Sequence, residues 1–348
     1  SLLQPNMPNF RKLAASSLTF LTLPLLSPLT LPAIAQDLKP ISYIAQGEAT
    51  QTPGDRAFAE GMALFRQQTP ESIRAAIQKW EEALTLYQQE GNQVQEGTTL
   101  SNIGALYFIL QDFDTALSYY NRALTLQQQI EDKSGVAFTL HKIARLYEEQ
   151  GDSQKALDYY SQAVPLFHDL GDKPVLADTL NTIGFLKFSF RDFPAALDSF
   201  NQALTLYQEM GNLEGAALSL LGMGRVKDEV GEKQTALEYY NQALTLRRQL
   251  GDQGGESIIL INMGKVYSNL GEKQTAIEYY NQALKIQQEV GDKSTAATIL
   301  NNLGRVYESI GDWQAALNHY EQSLSLLQEV GDRLFEAFTI SNIGSVNS

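Results

Sequence analysis

The sequence predicts an all-α solenoid of about seven helix pairs plus one unpaired C-terminal helix, covering residues 55–348. Turn residues recur every 40 positions in a first series: Gly91, Glu131, Gly171, Gly211, Gly251, Gly291 and Gly331. A second series is offset from the first by 20 positions: Gln111, Gly151, Arg191, Gly231, Gly271 and Gly311. The segments between these turns show no two-residue alternation of apolar side chains, which argues against strands. Repetition on this scale predicts a one-dimensional array, although a chain of 348 residues would otherwise suggest two or three globular domains.

The N-terminal segment has the pattern of an export signal. Two basic residues, Arg11 and Lys12, precede an apolar stretch and the small-residue sequence Ala33-Ile34-Ala35. We therefore expect residues 1–35 to be a signal peptide cleaved after Ala35, and the rest of the chain to be exported to the periplasm or the cell exterior. The alternative is an uncleaved membrane anchor, which the two prolines inside the apolar stretch disfavour.

A leader and an irregular first pair follow the signal. Residues 36–54 contain Pro, Gly, Gln and Thr without periodicity, and we expect them to be a flexible leader. The array then starts near Arg56. Its first pair departs from the 40-residue period because Thr69-Pro70 inserts an additional turn.

The recurring turns explain where each helix should begin and end. Glycine ends a helix at low cost because it adopts the left-handed conformation easily. An aspartate or asparagine next to the turn residue can cap the following helix through its side-chain oxygen. The spacing predicts helices of roughly 18 residues, each about 27 Å long.

Small and large side chains recur at fixed positions within these helices. In the first helix of each pair, a large aliphatic residue is followed three positions later by a second one, and a small residue comes directly after that. Leu100, Ile103 and Gly104 are an example. In the second helix an alanine is followed four positions later by an aromatic residue, as in Ala116 and Tyr120. We expect the small residues to let helices approach closely and the aromatic rings to fill the space between pairs.

These positions resemble the tetratricopeptide repeat. Its pattern Leu-Gly-x-x-Tyr occurs at residues 303–307 and is followed by Ala-x-x-x-Tyr at residues 316–320. The usual repeat has about 34 residues, so the additional residues here must lie around the Gly-Asp turn, as in kinesin-light-chain-like repeats. The resemblance implies a right-handed superhelix in which the first helix of each pair lines a concave groove. Lys187 and Lys227 depart from the pattern, because they replace its tyrosine.

The resemblance also carries three hypotheses about function. It implies foremost a scaffold that binds a partner segment or peptide in the concave groove. Sequences such as Glu-Tyr-Tyr-Asn-Gln-Ala-Leu at residues 238–244 are similar to the repeats of cyanobacterial-type CHAT-domain proteins. This similarity suggests a sensor or substrate-docking region of a caspase-like peptidase whose catalytic domain is not in this sequence. The third hypothesis is a structural factor in envelope or secretion assembly.

Composition and motif spacing disfavour several other classes of protein. The formal net charge of −14 argues against general affinity for nucleic acid or anionic lipid, so we expect membrane contact only through an uncleaved signal segment. The chain has no cysteine for a thiolate metal site or a nucleophile. His141, His168 and His319 fall at unrelated repeat positions, and Gly222-Met223-Gly224 lacks the strand and third glycine of a dinucleotide site. We therefore predict no catalytic residues, no metal and no cofactor.

Cationic and amide side chains nevertheless recur on the predicted groove face of this acidic chain. Clustered charge of one sign in a groove favours a ligand of opposite sign, so the partner could be acidic. The alternative is that these cations form intrahelical ion pairs with Glu148, Asp228 and Glu308, which leaves Lys265, opposite Ser268, as the freest cation. The candidate groove residues are Asn102, Lys142, Arg145, Asn181, Phe185, Arg225, Asn262, Lys265, Asn301, Asn302 and Arg305.

The last helix should expose apolar side chains that favour self-association. Its large apolar residues recur at helical spacing, and no second helix follows it in this sequence. We expect an uncovered apolar strip, possible self-association through it, and continuation of the array past Ser348. The strip consists of Phe335, Phe338, Ile340, Ile343 and Val346.

Overall fold

A computed structural model describes residues 52–347, which form fifteen helices and no strand. The predicted signal peptide, residues 1–35, and nearly all of the predicted leader lie outside the described residues. The helices are α1 Pro53–Phe65, α2 Pro70–Glu90, α3 Gln93–Ile109, α4 Phe113–Gln129, α5 Lys133–Glu149, α6 Ser153–Leu170, α7 Lys173–Ser189, α8 Phe193–Met210, α9 Leu213–Glu229, α10 Lys233–Leu250, α11 Gln253–Leu270, α12 Lys273–Val290, α13 Lys293–Ser309, α14 Trp313–Val330 and α15 Arg333–Val346.

The helices pack as consecutive antiparallel pairs. Contacts are most extensive within the seven pairs, from α1/α2 to α13/α14, and each second helix also packs on the first helix of the next pair. The last helix, α15, packs on α14. This arrangement confirms the predicted all-α array of seven pairs and one further helix.

The first pair begins and turns through two capping boxes. Thr52 accepts a hydrogen bond from the Asp55 backbone N–H, and Asp55 accepts one from the Thr52 backbone N–H, so α1 begins at Pro53, inside the predicted leader. Thr69 and Ser72 form the same reciprocal arrangement at the start of α2. Thr69-Pro70 is therefore the additional turn that the sequence predicts.

The recurring turns use the left-handed conformation whether or not glycine is present. Gly91, for example, has φ 69° and ends α2. Gln111, Glu131 and Arg191 occupy the same position in other turns with φ values of 61°, 58° and 60°. The turn geometry is thus set by the repeat, and these three side chains adopt a conformation that residues other than glycine disfavour.

Most helices are capped by the acidic or amide residue that follows the turn. Asp312 is typical, because its Oδ1 accepts a hydrogen bond from the Ala315 backbone N–H at 3.1 Å. Glu232 and Glu272 stand at the same position but make no side-chain cap bond. Capping by aspartate and asparagine is therefore confirmed, and glutamate, whose longer side chain is not among the preferred caps, does not cap at this position.

The core combines the small, aliphatic and aromatic positions that the repeat pattern singles out. A Cβ atom placed on Gly304 would lie 2.5 Å from the Tyr320 ring, so only glycine permits this approach. Gly222, part of the rejected dinucleotide motif, similarly lies against the ring of Phe200. These glycines therefore serve packing, as the sequence indicates.

Among the described residues, no helix is long and apolar enough to cross a membrane.

Candidate functional site

One row of side chains lies at a single register on five successive first helices, and we call it the inner row. Each member is half-buried, and the residues before and after it are buried. A cation or a phenylalanine at this position is therefore the part of each helix segment that reaches the surface. The inner row consists of Arg145 on α5, Phe185 on α7, Arg225 on α9, Lys265 on α11 and Arg305 on α13.

Two of the predicted groove residues are buried between α3 and α5. Lys142 is 5% exposed, and its Nζ lies 3.0 Å from Ser101 Oγ and 3.2 Å from Asn102 Oδ1. Asn102 has no exposed surface. The prediction that these two side chains line the groove surface is corrected, because they hydrogen-bond between repeats.

Two further asparagines that were predicted to line the groove are also buried between repeats. Asn181 Oδ1 accepts a hydrogen bond from Ser219 Oγ at 3.0 Å, and Asn301 Nδ2 donates one to Thr339 Oγ1 at 2.8 Å. Both asparagines are buried between consecutive first helices. Their amides stabilise the stacking of repeats and are not presented to a ligand.

The remaining amides are half-buried beside the inner row. Asn262 donates a hydrogen bond through Nδ2 to the Ile258 carbonyl at 2.8 Å, so its side-chain orientation is fixed by its own helix. Asn302 is half-buried at the same register on α13. These two amides stay predicted members of a groove site.

Lys265 is bound to the preceding repeat, so the prediction that it is the freest cation is wrong. Its Nζ lies 3.1 Å from Asp228 Oδ2 and 3.7 Å from Glu229 Oε1, and its side chain is only 12% exposed. Asp228 is itself buried and also accepts a hydrogen bond from Lys233. Spacing within one helix could not reveal this network, because its partners lie on α9, α10 and α11.

Tyrosines of the second helices bind two of the carboxylates assigned to intrahelical pairing. The Tyr160 hydroxyl donates to Glu148 at 2.8 Å, and the Tyr320 hydroxyl donates to Glu308 at 2.8 Å. Burial raises the pKa of Glu148, whereas the hydrogen bond from Tyr160 and the charge of Arg145 act in the opposite direction. Burial lowers the pKa of Arg145, because it disfavours the charged guanidinium.

The same tyrosine position lacks an acceptor in two central repeats. The hydroxyls of Tyr240 and Tyr280 are buried and have no hydrogen-bond partner among the described residues. Asp228 and Ser268 occupy the sites where α5 and α13 have Glu148 and Glu308. These two substitutions are the sequence signal that could have identified the unusual centre of the array.

Aromatic rings flank the cations near the middle of the inner row. The Arg225 guanidinium carbon lies 4.8 Å from the centroid of the Phe188 ring, at cation–π distance. Phe185 meets Phe200 edge to face at 4.8 Å. The surface around α7 and α9 therefore offers both apolar area and positive charge.

The three histidines form no metal site. His168 is exposed, His319 stacks on Tyr307, and His141 lies between Tyr160 and Phe167. The described residues contain no group of three or more His, Cys, Asp or Glu side chains that could hold a metal ion.

Helix pairs of this length, stacked through small residues and aromatic rings with half-buried side chains on the first helices, define a repeat scaffold of the α-solenoid class. The sequence matches the tetratricopeptide repeat family over residues 95–168, 175–249 and 255–329. The chain therefore belongs to the tetratricopeptide repeat family, whose members are generally protein-interaction scaffolds. No curated protein sequence matches it.

Two solved structures show the same fold at low sequence identity, and a third matches a shorter part of the chain. The apo form of RapI is 14% identical, with a TM-score of 0.60, over 81% of this chain and 100% of that one. A signal-transduction ATPase with a tetratricopeptide repeat sensor from Pyrococcus horikoshii is also 14% identical, with a TM-score of 0.59, over 86% of this chain and 44% of that one. Repeats of a putative kinesin light chain from Podosopora anserina are 18% identical, with a TM-score of 0.48, over 56% of this chain and 95% of that one.

Proposed function

We propose that this protein is a scaffold whose first-helix face holds an extended segment of a partner protein. The observation that carries the proposal is the inner row, in which five helices place non-core side chains at one register, 40 residues apart. Extended concave surfaces of this kind are how solenoid repeats bind their partners. Lys265 is held by carboxylates of the preceding repeat, so the test of selectivity for acidic side chains changes Arg145, Arg225 and Arg305.

Charge-reversal variants test this proposal. The groove variant carries Arg145→Glu, Arg225→Glu and Arg305→Glu. The control carries Lys173→Glu, Arg248→Glu and Lys293→Glu, which make the same change of charge at exposed ion pairs. Because surface ion pairs contribute little to stability, the control should keep its helix content, and circular dichroism checks that the groove variant, whose changes are at half-buried positions, keeps it as well.

The probe is a fluorescein-labelled peptide of alternating Glu and Phe, compared by fluorescence anisotropy with one of alternating Lys and Phe. We expect the native chain and the control to bind the acidic peptide more tightly, with affinity falling as salt increases. The groove variant should lose this preference. Equal binding of both peptides by the native chain, or equal losses in the two variants, would contradict the proposal.

We also propose that the protein acts outside the cytoplasm, because residues 1–35 have the sequence pattern of a signal peptide. Mass spectrometry of protein expressed from the complete reading frame in a bacterial host should find Gln36 at the mature N-terminus. An intact N-terminal segment in the membrane fraction would instead favour the anchor. The CHAT-peptidase and envelope-assembly hypotheses gain no support from the family match, which covers only repeats.

A further inference from the structure

The tyrosine hydroxyls of the second helices differ in whether their own repeat supplies an acceptor. In the pairs α5/α6 and α13/α14, the first helix carries a glutamate, Glu148 or Glu308, that accepts a hydrogen bond from this hydroxyl at 2.8 Å. In the pair α11/α12 the tyrosine is the fully buried Tyr280, and Ser268 stands in place of the glutamate. The Tyr280 hydroxyl has no hydrogen-bond partner among the described residues. Because a buried donor without an acceptor is costly, this position is suited to an acceptor from outside the repeat.

The two preceding pairs are less suited to such an acceptor. In α7/α8, Phe188 replaces the glutamate, but Phe200 also replaces the tyrosine, so that pair has no hydroxyl at this position. In α9/α10 the Tyr240 hydroxyl also lacks a partner, yet burial and the nearby charge of Asp228 both raise the pKa of Tyr240. An anion brought to Tyr240 would therefore meet a carboxylate of the same repeat. Tyr280 is the better place for an anionic acceptor.

Positive charge lies close to the Tyr280 hydroxyl. Burial raises the pKa of Tyr280, the charge of Arg305 on the next first helix lowers it, and the charge of Asp228 raises it. Asp228 is already paired, because its Oδ2 lies 3.1 Å from Lys265 Nζ. A neutral hydroxyl beside an arginine is a pair of donors that suits a carboxylate, since hydrogen bonds between charged groups are the strong ones.

We propose that the Tyr280 hydroxyl and Arg305 together receive one carboxylate of the bound partner segment. That carboxylate takes the place that Glu148 and Glu308 have in their own repeats. Ser268 is half-buried at the same register as those glutamates, so the partner's carboxylate approaches along the route that they follow. The inference rests on the proposed groove function and names the position at which the groove selects an acidic group. The carboxylate belongs to an acidic side chain or to a chain terminus, and the experiment separates these two sources.

Tyrosine-to-phenylalanine variants of the complete chain test the hydrogen bond. Tyr280→Phe removes the hydroxyl and keeps the buried ring, and Phe200 shows that the fold accepts phenylalanine at this register. Binding of the labelled Glu/Phe peptide should weaken by roughly tenfold, because a hydrogen bond to a charged group is lost. Tyr160→Phe is the matched control, since that hydroxyl is bound to Glu148, and it should bind the peptide as the native chain does. Equal affinities of Tyr280→Phe and the native chain would overturn the inference.

Ser268→Glu supplies the carboxylate from the chain itself. By analogy with Glu148, the new side chain should accept the hydrogen bond from Tyr280, so the variant should resist urea better than the native chain. It should also lose as much peptide affinity as Tyr280→Phe does. Asn269→Glu adds the same charge at the exposed neighbouring position and should weaken binding much less. Equal losses in the two glutamate variants would show that only the added charge matters.

A measurement at Tyr280 itself separates this inference from the groove function. In a chain with ¹³C-labelled tyrosine rings, the nuclear magnetic resonance signal that Tyr280→Phe removes belongs to Tyr280. The probes are N-acetylglutamic acid α-amide, which has only a side-chain carboxylate, N-acetylglycine, which has only a terminal one, and the neutral N-acetylglutamine α-amide. At least one acid should move this signal saturably, which identifies the source of the carboxylate, whereas the neutral amide should not.

The outcomes distinguish the two proposals. A Tyr280 signal that neither acid moves would overturn the inference, even if the native chain prefers the acidic peptide. A signal that an acid moves, in a chain that binds the acidic and basic peptides equally, would support the carboxylate site and count against the groove function alone.

Discussion

At the scale of single residues, position within the array decides what a side chain does. Lys142 and Lys265 both stand near the predicted groove, yet Lys142 is buried against Ser101 and Asn102, whereas Lys265 joins a carboxylate on the preceding repeat. Burial of hydrogen-bonding groups is tolerated only where partners exist, so the neighbouring repeat selects the role. Residue type alone could not distinguish these cases.

The turn residues that are not glycine give a first prediction. Gln111 and Glu131 are exposed and have φ values of 61° and 58°. Because glycine adopts this conformation without steric cost, Gln111→Gly and Glu131→Gly should each raise the free energy of unfolding by about 0.5–1 kcal/mol. Urea unfolding followed by circular dichroism measures the change. The reverse substitution Gly151→Gln, at φ 76° with open space around it, should destabilise by a similar amount; a neutral result there would refute the conformational explanation.

His141 gives a second prediction, on pH. Burial and the nearby charge of Lys142 lower the pKa of His141 to about 4, against about 6.5 in an unfolded chain. As pH falls below about 6.5 the unfolded chain takes up a proton that the folded chain does not, so stability is lost between about pH 6.5 and pH 4. His141→Leu, the residue found at this register in α9, should lose less stability than the native chain between about pH 7 and pH 5, by up to about 2 kcal/mol.

Urea unfolding at the two pH values tests this difference. The exposed His168 supplies the control variant His168→Asn, which removes an imidazole that the helices do not bury. If the native chain and the His141→Leu variant lose the same free energy on acidification, burial of the imidazole is not responsible.

At the scale of helices, the fold was predictable because its signals are local. Turn residues, caps and the spacing of Ala116 and Tyr120 all lie within a few residues of the feature that they determine. The candidate site was less predictable, because the partners of Lys265 and Asn181 lie on other helices about 40 positions away. A repeat period reveals which residues are equivalent, but it does not reveal how close consecutive copies approach.

The caps provide a prediction at this scale. Glu272 begins α12 without a side-chain cap bond, whereas Asp312 caps α14. Glu272→Asp should stabilise the protein by about 0.5–1 kcal/mol, because aspartate accepts a hydrogen bond from a first-turn N–H. Asp312→Glu should destabilise it by a similar amount. Thermal unfolding by circular dichroism would show both shifts; changes of the same sign in the two variants would be incompatible with capping as their cause.

At the scale of the whole molecule, consecutive repeats pack most closely near the centre of the array. Of the first helices that follow a second helix, α9 packs most extensively on the one before it. Gly222 permits this approach, because a Cβ atom there would lie 2.5 Å from the Phe200 ring. The same register carries asparagine in α3, α11 and α13, as Asn102, Asn262 and Asn302 show. One glycine thus sets a local departure from the regular stacking.

Gly222→Asn should therefore destabilise the centre of the array, although asparagine fits this register elsewhere. We expect a loss of about 1–3 kcal/mol from overpacking, and Phe200→Leu in the same chain should restore part of it. Stability in a repeat array is close to a sum of local and nearest-neighbour contributions, so the effect should decline with distance along the chain.

The fluorescence of Trp80, which is fully buried in the first pair, measures unfolding far along the chain from Gly222. It does so without interference when the exposed Trp313 is replaced by phenylalanine. In this background the Gly222→Asn variant should unfold at lower urea by circular dichroism than by Trp80 fluorescence, whereas the parent shows nearly coincident transitions. Equal shifts of both signals would mean that the array unfolds as one cooperative unit, and the nearest-neighbour description would then be wrong for this protein.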